Sequence, residues 1–106
     1  MMGRSGGMNE AMRQAARLQR KIDQVRAEVK SREVSFSTVG DMARATVTCD
    51  GRVKELALDP TFAATEGPAL ARDALVAAIN GALDAADRIV DAEVAKVTGG
   101  IKLPGM

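Results

Sequence analysis

Arg13, Arg17 and Arg20 recur at steps of four and three, and Lys21 stands beside the last of them. Residues 11–22 hold these four cations and no carboxylate, although the whole chain of 106 residues has a formal net charge of only +1. With Ile22 set at the centre of an apolar helical seam and about 100° allowed per residue, Arg20, Arg13 and Arg17 fall roughly 160°, 180° and 220° away, and Lys21 about 260°. The three arginines lie on the side opposite the seam, and Lys21 flanks them. Guanidinium groups one helical turn apart, with no carboxylate between them, can hold successive phosphates through paired hydrogen bonds. Gln14 and Gln24 extend the neighbourhood with uncharged donors. The chemistry on offer is the gripping of a polyanion, and its ordinary alternative is the solvated face of an amphipathic helix.

Other chemistry is poorly provided for. The chain has no His, Tyr or Trp, so general acid–base work falls to carboxylates, lysines and one thiol. Asp84, Asp87 and Asp91 follow helical spacing and read as a solvated acidic stripe. The lone Cys49 can form no intrachain disulfide, and without His there is no Cys/His zinc cluster. Its parity with Ala43, Ala45 and Val47 makes it a small buried residue. The glycines of "GRSGG" lack the Lys-Ser/Thr and the preceding strand of a phosphate loop. No catalytic residue, metal, cofactor or small-molecule substrate is expected.

Charge is unevenly spread. Met1 to Arg32 holds eight basic residues against three acidic ones, whereas Asp59 to Met106 holds four against seven. Duplex DNA presents about one negative charge per 1.7 Å of axis, so a chain of near-zero net charge can still bind it through one concentrated face. Single strands fit less well, because only Phe36 and Phe62 are available as stacking platforms.

The elements that must position the row follow from hydrophobic period. Met8, Ala11, Ala15, Leu18, Ile22, Val25 and Val29 alternate steps of three and four, which predicts a helix from about Met8 to Arg32, roughly 37 Å long. So long a helix in so small a chain needs something to cover its far end, and a second copy is the expected cover. From Glu33 the period becomes two. "EVSFSTV", "ARATVTC" and "RVKELALD" predict a three-stranded antiparallel meander, turned at Gly40-Asp41 and at Asp50-Gly51. A connector runs from Asp59 to Gly67. Pro68 then opens a second long helix with Leu75, Ile79, Ala82, Leu83, Ala86, Val90, Val94 and Val97 on its apolar face, ended by Gly99-Gly100. The fold class is α+β in the order α-β-β-β-α, a single domain over residues 1–106 with a flexible lead-in at 1–7 and a tail at 98–106. No apolar run approaches the roughly 20 residues needed to cross a bilayer. No signal-peptide core opens the chain, so a cytosolic protein is expected.

The first helix "MNEAMRQAARLQRKI", the hairpin and strand "VTCDGRVKELALDPTF", and the last helix with its tail, "LVAAINGALDAADRI" through "GGIKLPGM", stand in this order along nearly the whole chain. Together they resemble the YbaB/EbfC family of bacterial nucleoid-associated proteins. The resemblance implies an α+β protomer in a tight homodimer whose helices project like tweezer arms, binding double-stranded DNA in the nucleoid and contributing to nucleoid organisation and gene regulation. Carried onto this sequence, it assigns DNA contact to Arg13, Gln14, Arg17, Arg20, Lys21 and Gln24, with Arg26 and Lys30 as additions. Asp73, Asp84, Asp87 and Asp91, with Asn80 among them, would repel phosphate, which leaves Arg88 and Lys96 as the last helix's candidates. The rival expectation is a dimeric adaptor that holds another protein through its apolar groove and acidic helix, with incidental DNA affinity.

Overall fold

The computed structural model describes the backbone of residues 2–38 and 40–99, and side chains from residue 7 onward. Helix α1 spans Met2–Val29, strands β1, β2 and β3 span Glu33–Thr38, Ala43–Thr48 and Val53–Leu58, and helices α2 and α3 span Pro60–Glu66 and Pro68–Thr98. The expected α-β-β-β-α order holds, with one short helix added before the last.

The strands form an antiparallel sheet in the order β1-β2-β3. Directly opposed residues share a face, so the pairs Val34↔Val47, Phe36↔Ala45 and Thr38↔Ala43 line one side of β1 and β2, and Leu58, Leu56 and Val53 continue it on β3. Alternation in the sequence therefore translates directly into a two-faced sheet. The other face carries hydroxyls, with Ser35 bonded to Thr46 at 2.7 Å and Arg44 Nε donating to Ser37 at 3.3 Å. Gly40 and Asp41 both take positive φ, 59° and 65°, the mirror-image backbone that matches strand twist. A bulge between Thr46 and Val47 leaves Lys54 without an opposed partner.

Helix α3 lies on the apolar face, mainly over β1 and β2. Its contact line is made of small residues. Ala78, Ala82 and Ala86 are buried against Ala43, Ala45 and Val47, which lets helix and sheet approach closely, while the larger Leu75, Ile79 and Leu83 of the predicted face flank this line half-buried. Gly81 meets the ring of Phe36 on β1.

Four features differ from expectation. Helix α1 begins at Met2, within the segment read as a lead-in, because glycine lowers helix propensity by about 1 kcal/mol but no proline or cap stops the chain there. It ends at Val29 rather than Arg32. Lys30 and Arg32 are drawn off to the β2–β3 hairpin, whose Asp50 and Cys49 amides donate to their carbonyls at 3.1 and 2.9 Å. The connector from Asp59 is helix α2, capped by the Asp59 carboxylate, which accepts from the amides of Thr61 and Phe62 at 2.8 and 3.0 Å. Thr98 belongs to α3, which Gly99 closes in the left-handed conformation; residues 100–106 of the expected tail lie outside the described residues.

The described residues extend 77 × 19 × 17 Å with a radius of gyration of 20.7 Å, against about 13 Å for a compact chain of 100 residues. Helix α3, with 31 residues, accounts for about 46 Å. Most of the remaining length is α1, whose N-terminal half overhangs with Met8 and Met12 68% and 64% exposed.

Candidate nucleic-acid interface

Helix α1 is built from strong helix formers, with Ala, Met, Gln, Arg, Leu, Lys and Glu filling most of residues 8–29. Its seam is anchored at one end only. Ile22 and Val29 are buried and Leu18 and Val25 half-buried, whereas Met8, Ala11 and Ala15 are exposed. Gln19 donates to Asp23 at 3.0 Å and Gln24 to Glu28 at 3.1 Å, each one turn along. Such pairs reinforce a helix that little else supports.

The anchored seam fixes the rotation of the helix, and with it the direction of the row. Arg13, Gln14, Arg17, Arg20, Lys21 and Gln24 are all exposed. From Arg13 to Gln24 the row is about 16 Å long, enough to face several duplex phosphates. Among the described residues Arg20 donates only to the Ala16 carbonyl of its own helix, at 3.4 Å. Among the described residues no carboxylate comes within 4.0 Å of Arg20 or Lys21.

Arg26 and Lys30 do not join this row. At about 40° and 80° from Ile22, they turn toward the body and line a groove of about 340 Å³ with Ala27, Cys49, Asp50 and Val90. Cys49 is half-buried there rather than fully enclosed. The groove's rim is electrostatically settled. The Asp50 carboxyl is held below its usual range by the hydrogen bond from the Thr48 hydroxyl and by the charge of Arg52.

On α3, Asp73, Asn80, Asp84, Asp87 and Asp91 are exposed and fall on the side of the helix turned away from the sheet. Arg88 donates to the carbonyl of Asp84 at 3.4 Å, and Lys96 is engaged with Glu93 at 3.0 Å. Glu93 also receives Arg32 at 3.4 Å. The hydrogen bond from Lys96 and the nearby Arg32 hold the Glu93 carboxyl below its usual range. This tie joins the turn that follows α1 to α3.

One member of the site goes unremarked in the sequence reading. Glu10 precedes the row and reaches Arg17 at 3.5 Å and Arg13 at 4.0 Å. Its spacing of three and seven residues is the signal that finds it.

A profile of the YbaB/EbfC DNA-binding family matches residues 3–101. The chain belongs to this family. Relatives in the YbaB/EbfC family include a nucleoid-associated protein of Acetivibrio thermocellus, 32% identical over 98% of this chain and 93% of that protein. Another, from Alkaliphilus metalliredigens, is 30% identical over 99% and 92%, and one from Methylocella silvestris is 31% identical over 88% and 87%. Both carry the same name, nucleoid-associated protein. Membership places the chain among DNA-binding proteins and not among enzymes. Among the described residues no helix is long and apolar enough to cross a membrane.

Proposed function

We propose that this YbaB/EbfC protein binds double-stranded DNA as a homodimer, through paired α1 helices, and acts in the cytoplasm as a nucleoid-associated protein that organises the chromosome and influences its transcription. The observation that carries the reading is the exposed row of Arg13, Arg17, Arg20 and Lys21, free of carboxylates from residue 11 to residue 22, on a helix that stands clear of the body. Gln14 and Gln24 supply further donors along the same edge. The acidic outer face of α3 turns away from DNA, which orients the duplex toward α1.

Dimerisation is supported by apolar surface that the protomer leaves uncovered. Helix α3 sits over β1 and β2, so Val53 and Leu56 on the same face of β3 remain 47% and 46% exposed. Counting about 100° per residue, Val76, Ile79 and Leu83 lie roughly 160–220° round α3 from Gly81, the residue that faces β1. They border that open strip. A second copy placed on it buries the strip and sets two basic rows on one particle.

A salt titration of duplex binding, run beside light scattering, tests the reading. Two rows offer six to eight cations, so log affinity should fall against log salt with a slope of roughly −5 to −7. An Arg13/Arg17/Arg20 triple Ala variant should stay dimeric and lose its shift. A slope near zero, or a monomer, would overturn it.

A further inference from the structure

In the free protein the basic row is not uniformly bare. Glu10 places one carboxylate oxygen, Oε1, 3.5 Å from Nη2 of Arg17 and the other, Oε2, 4.0 Å from Nη1 of Arg13. A single planar anion thus spans two guanidinium groups one helical turn apart, each oxygen given to one of them. Two non-bridging oxygens of a backbone phosphate make the same demand on two arginines. The three side chains are all more than half exposed, at 53%, 72% and 59% for Glu10, Arg13 and Arg17. Nothing buries the carboxylate in place, so another anion can replace it.

We infer that Glu10 is a resident counter-anion of the row, occupying the seat between Arg13 and Arg17 that a DNA phosphate takes on binding. The inference rests on the row being the DNA contact. It divides the row into two parts with different duties. Arg20 and Lys21, with no carboxylate within 4.0 Å among the described residues, carry uncompensated charge and make the first, long-range attraction. Arg13 and Arg17 are held in a preset geometry by Glu10 and become available only where a phosphate is dense enough in charge to displace it. The device lowers affinity and discriminates against sparse polyanions.

The test is duplex binding by fluorescence anisotropy at fixed moderate salt for wild type, Glu10→Gln, Arg13→Ala/Arg17→Ala, and the combined Glu10→Gln/Arg13→Ala/Arg17→Ala variant. Glu10→Gln should bind roughly 3- to 10-fold more tightly, the worth of one to two exposed ion pairs. That gain should fall below 2-fold when Arg13 and Arg17 are absent. Asp23→Asn, which removes the same charge about 100° from the seam and outside the row, should change affinity less than 2-fold. Circular dichroism checks that helicity is unchanged. An equal gain from Asp23→Asn, or a gain that persists without the two arginines, would mean that Glu10 acts by net charge alone and would overturn the inference. If Glu10→Gln binds as wild type while Arg13→Ala/Arg17→Ala binds weakly, the counter-anion role fails and the row stands as the contact. If loss of both arginines leaves binding intact, the reading beneath it fails as well.

Discussion

The ring of Phe36 lies directly on the backbone of Gly81. A Cβ built on Gly81 would stand 2.8 Å from the ring's Cγ and closer still to Cδ1 and Cε1. Because Cγ itself is in the way, the ring cannot make room by turning about its own axis; the whole side chain must change rotamer. The missing methyl group is what lets α3 settle on β1.

Gly81→Ala should therefore destabilise the protein, although the same change in an open helix stabilises by about 1 kcal/mol. A net loss of about 1–3 kcal/mol is expected, the usual cost of forcing atoms into a filled site. Denaturant unfolding measures it. In a Phe36→Ala background the same substitution should turn neutral or favourable, and a cycle without that coupling would show that the contact does not set the packing.

Why part of this was legible in the sequence, and part was not, comes down to period and size. Alternation in "ARATVTC" exposes which face of β2 is buried, because in a strand parity alone decides it. The order of elements and both glycine turns follow from equally local signals. The burial line of α3 is partly legible, since Ala82 and Ala86 fall on the predicted face, but Ala78 is weakly hydrophobic and bulk draws attention to Leu75, Ile79 and Leu83, which sit half-buried beside the line. Helix α2 is signalled by Asp59 as cap and Pro60 at the first turn, both readable, but its seven residues are too few for a period. For the site, the outward direction of Arg13, Arg17 and Arg20 follows from the seam. The turn of Arg26 and Lys30 toward the body follows from the same angular count, whereas the groove they line there does not, because it depends on where α1 meets Cys49 and Asp50.

Asp59 holds the short helix by two amide bonds. Asp59→Ala should cost about 1 kcal/mol, in the range for a lost helix cap. Asp59→Asn, which keeps an accepting oxygen, should recover most of it. Thermal melts of the three proteins decide the matter, and equal losses for Ala and Asn would show that the cap contributes nothing.

The acid limb of stability should depend on Glu93. Its carboxyl is depressed in the folded state by Lys96 and Arg32 below the ordinary 4.5, so the folded protein releases the proton more readily than the unfolded chain. The stabilisation is then complete above that ordinary value and disappears as pH falls through the lower folded one. Glu93→Gln should leave a flatter stability curve below about pH 4.5. Melting temperatures collected across pH 3–6 give the comparison, and an unchanged slope would remove Glu93 from the account.

Leu56 provides the sharpest separation of fold from assembly. It is 46% exposed on the open strip of β3, so in an isolated protomer a charged replacement touches little and should cost less than about 0.5 kcal/mol. Where a second copy covers the strip, the same charge is trapped in an apolar interface with no partner. Leu56→Lys should consequently convert the dimer to a monomer in light scattering. DNA binding should weaken as well, although no residue of the row is altered. A monomer presents three to four cations, so the salt slope should drop to about −3. Leu70→Lys, equally exposed at 50% but on the side of α3 nearer Gly81, should leave both measurements unchanged. Because the pair differ in position and not in chemistry, a common effect would point to general destabilisation. An effect confined to Leu56 ties the cooperation of the two basic rows to the β3 strip.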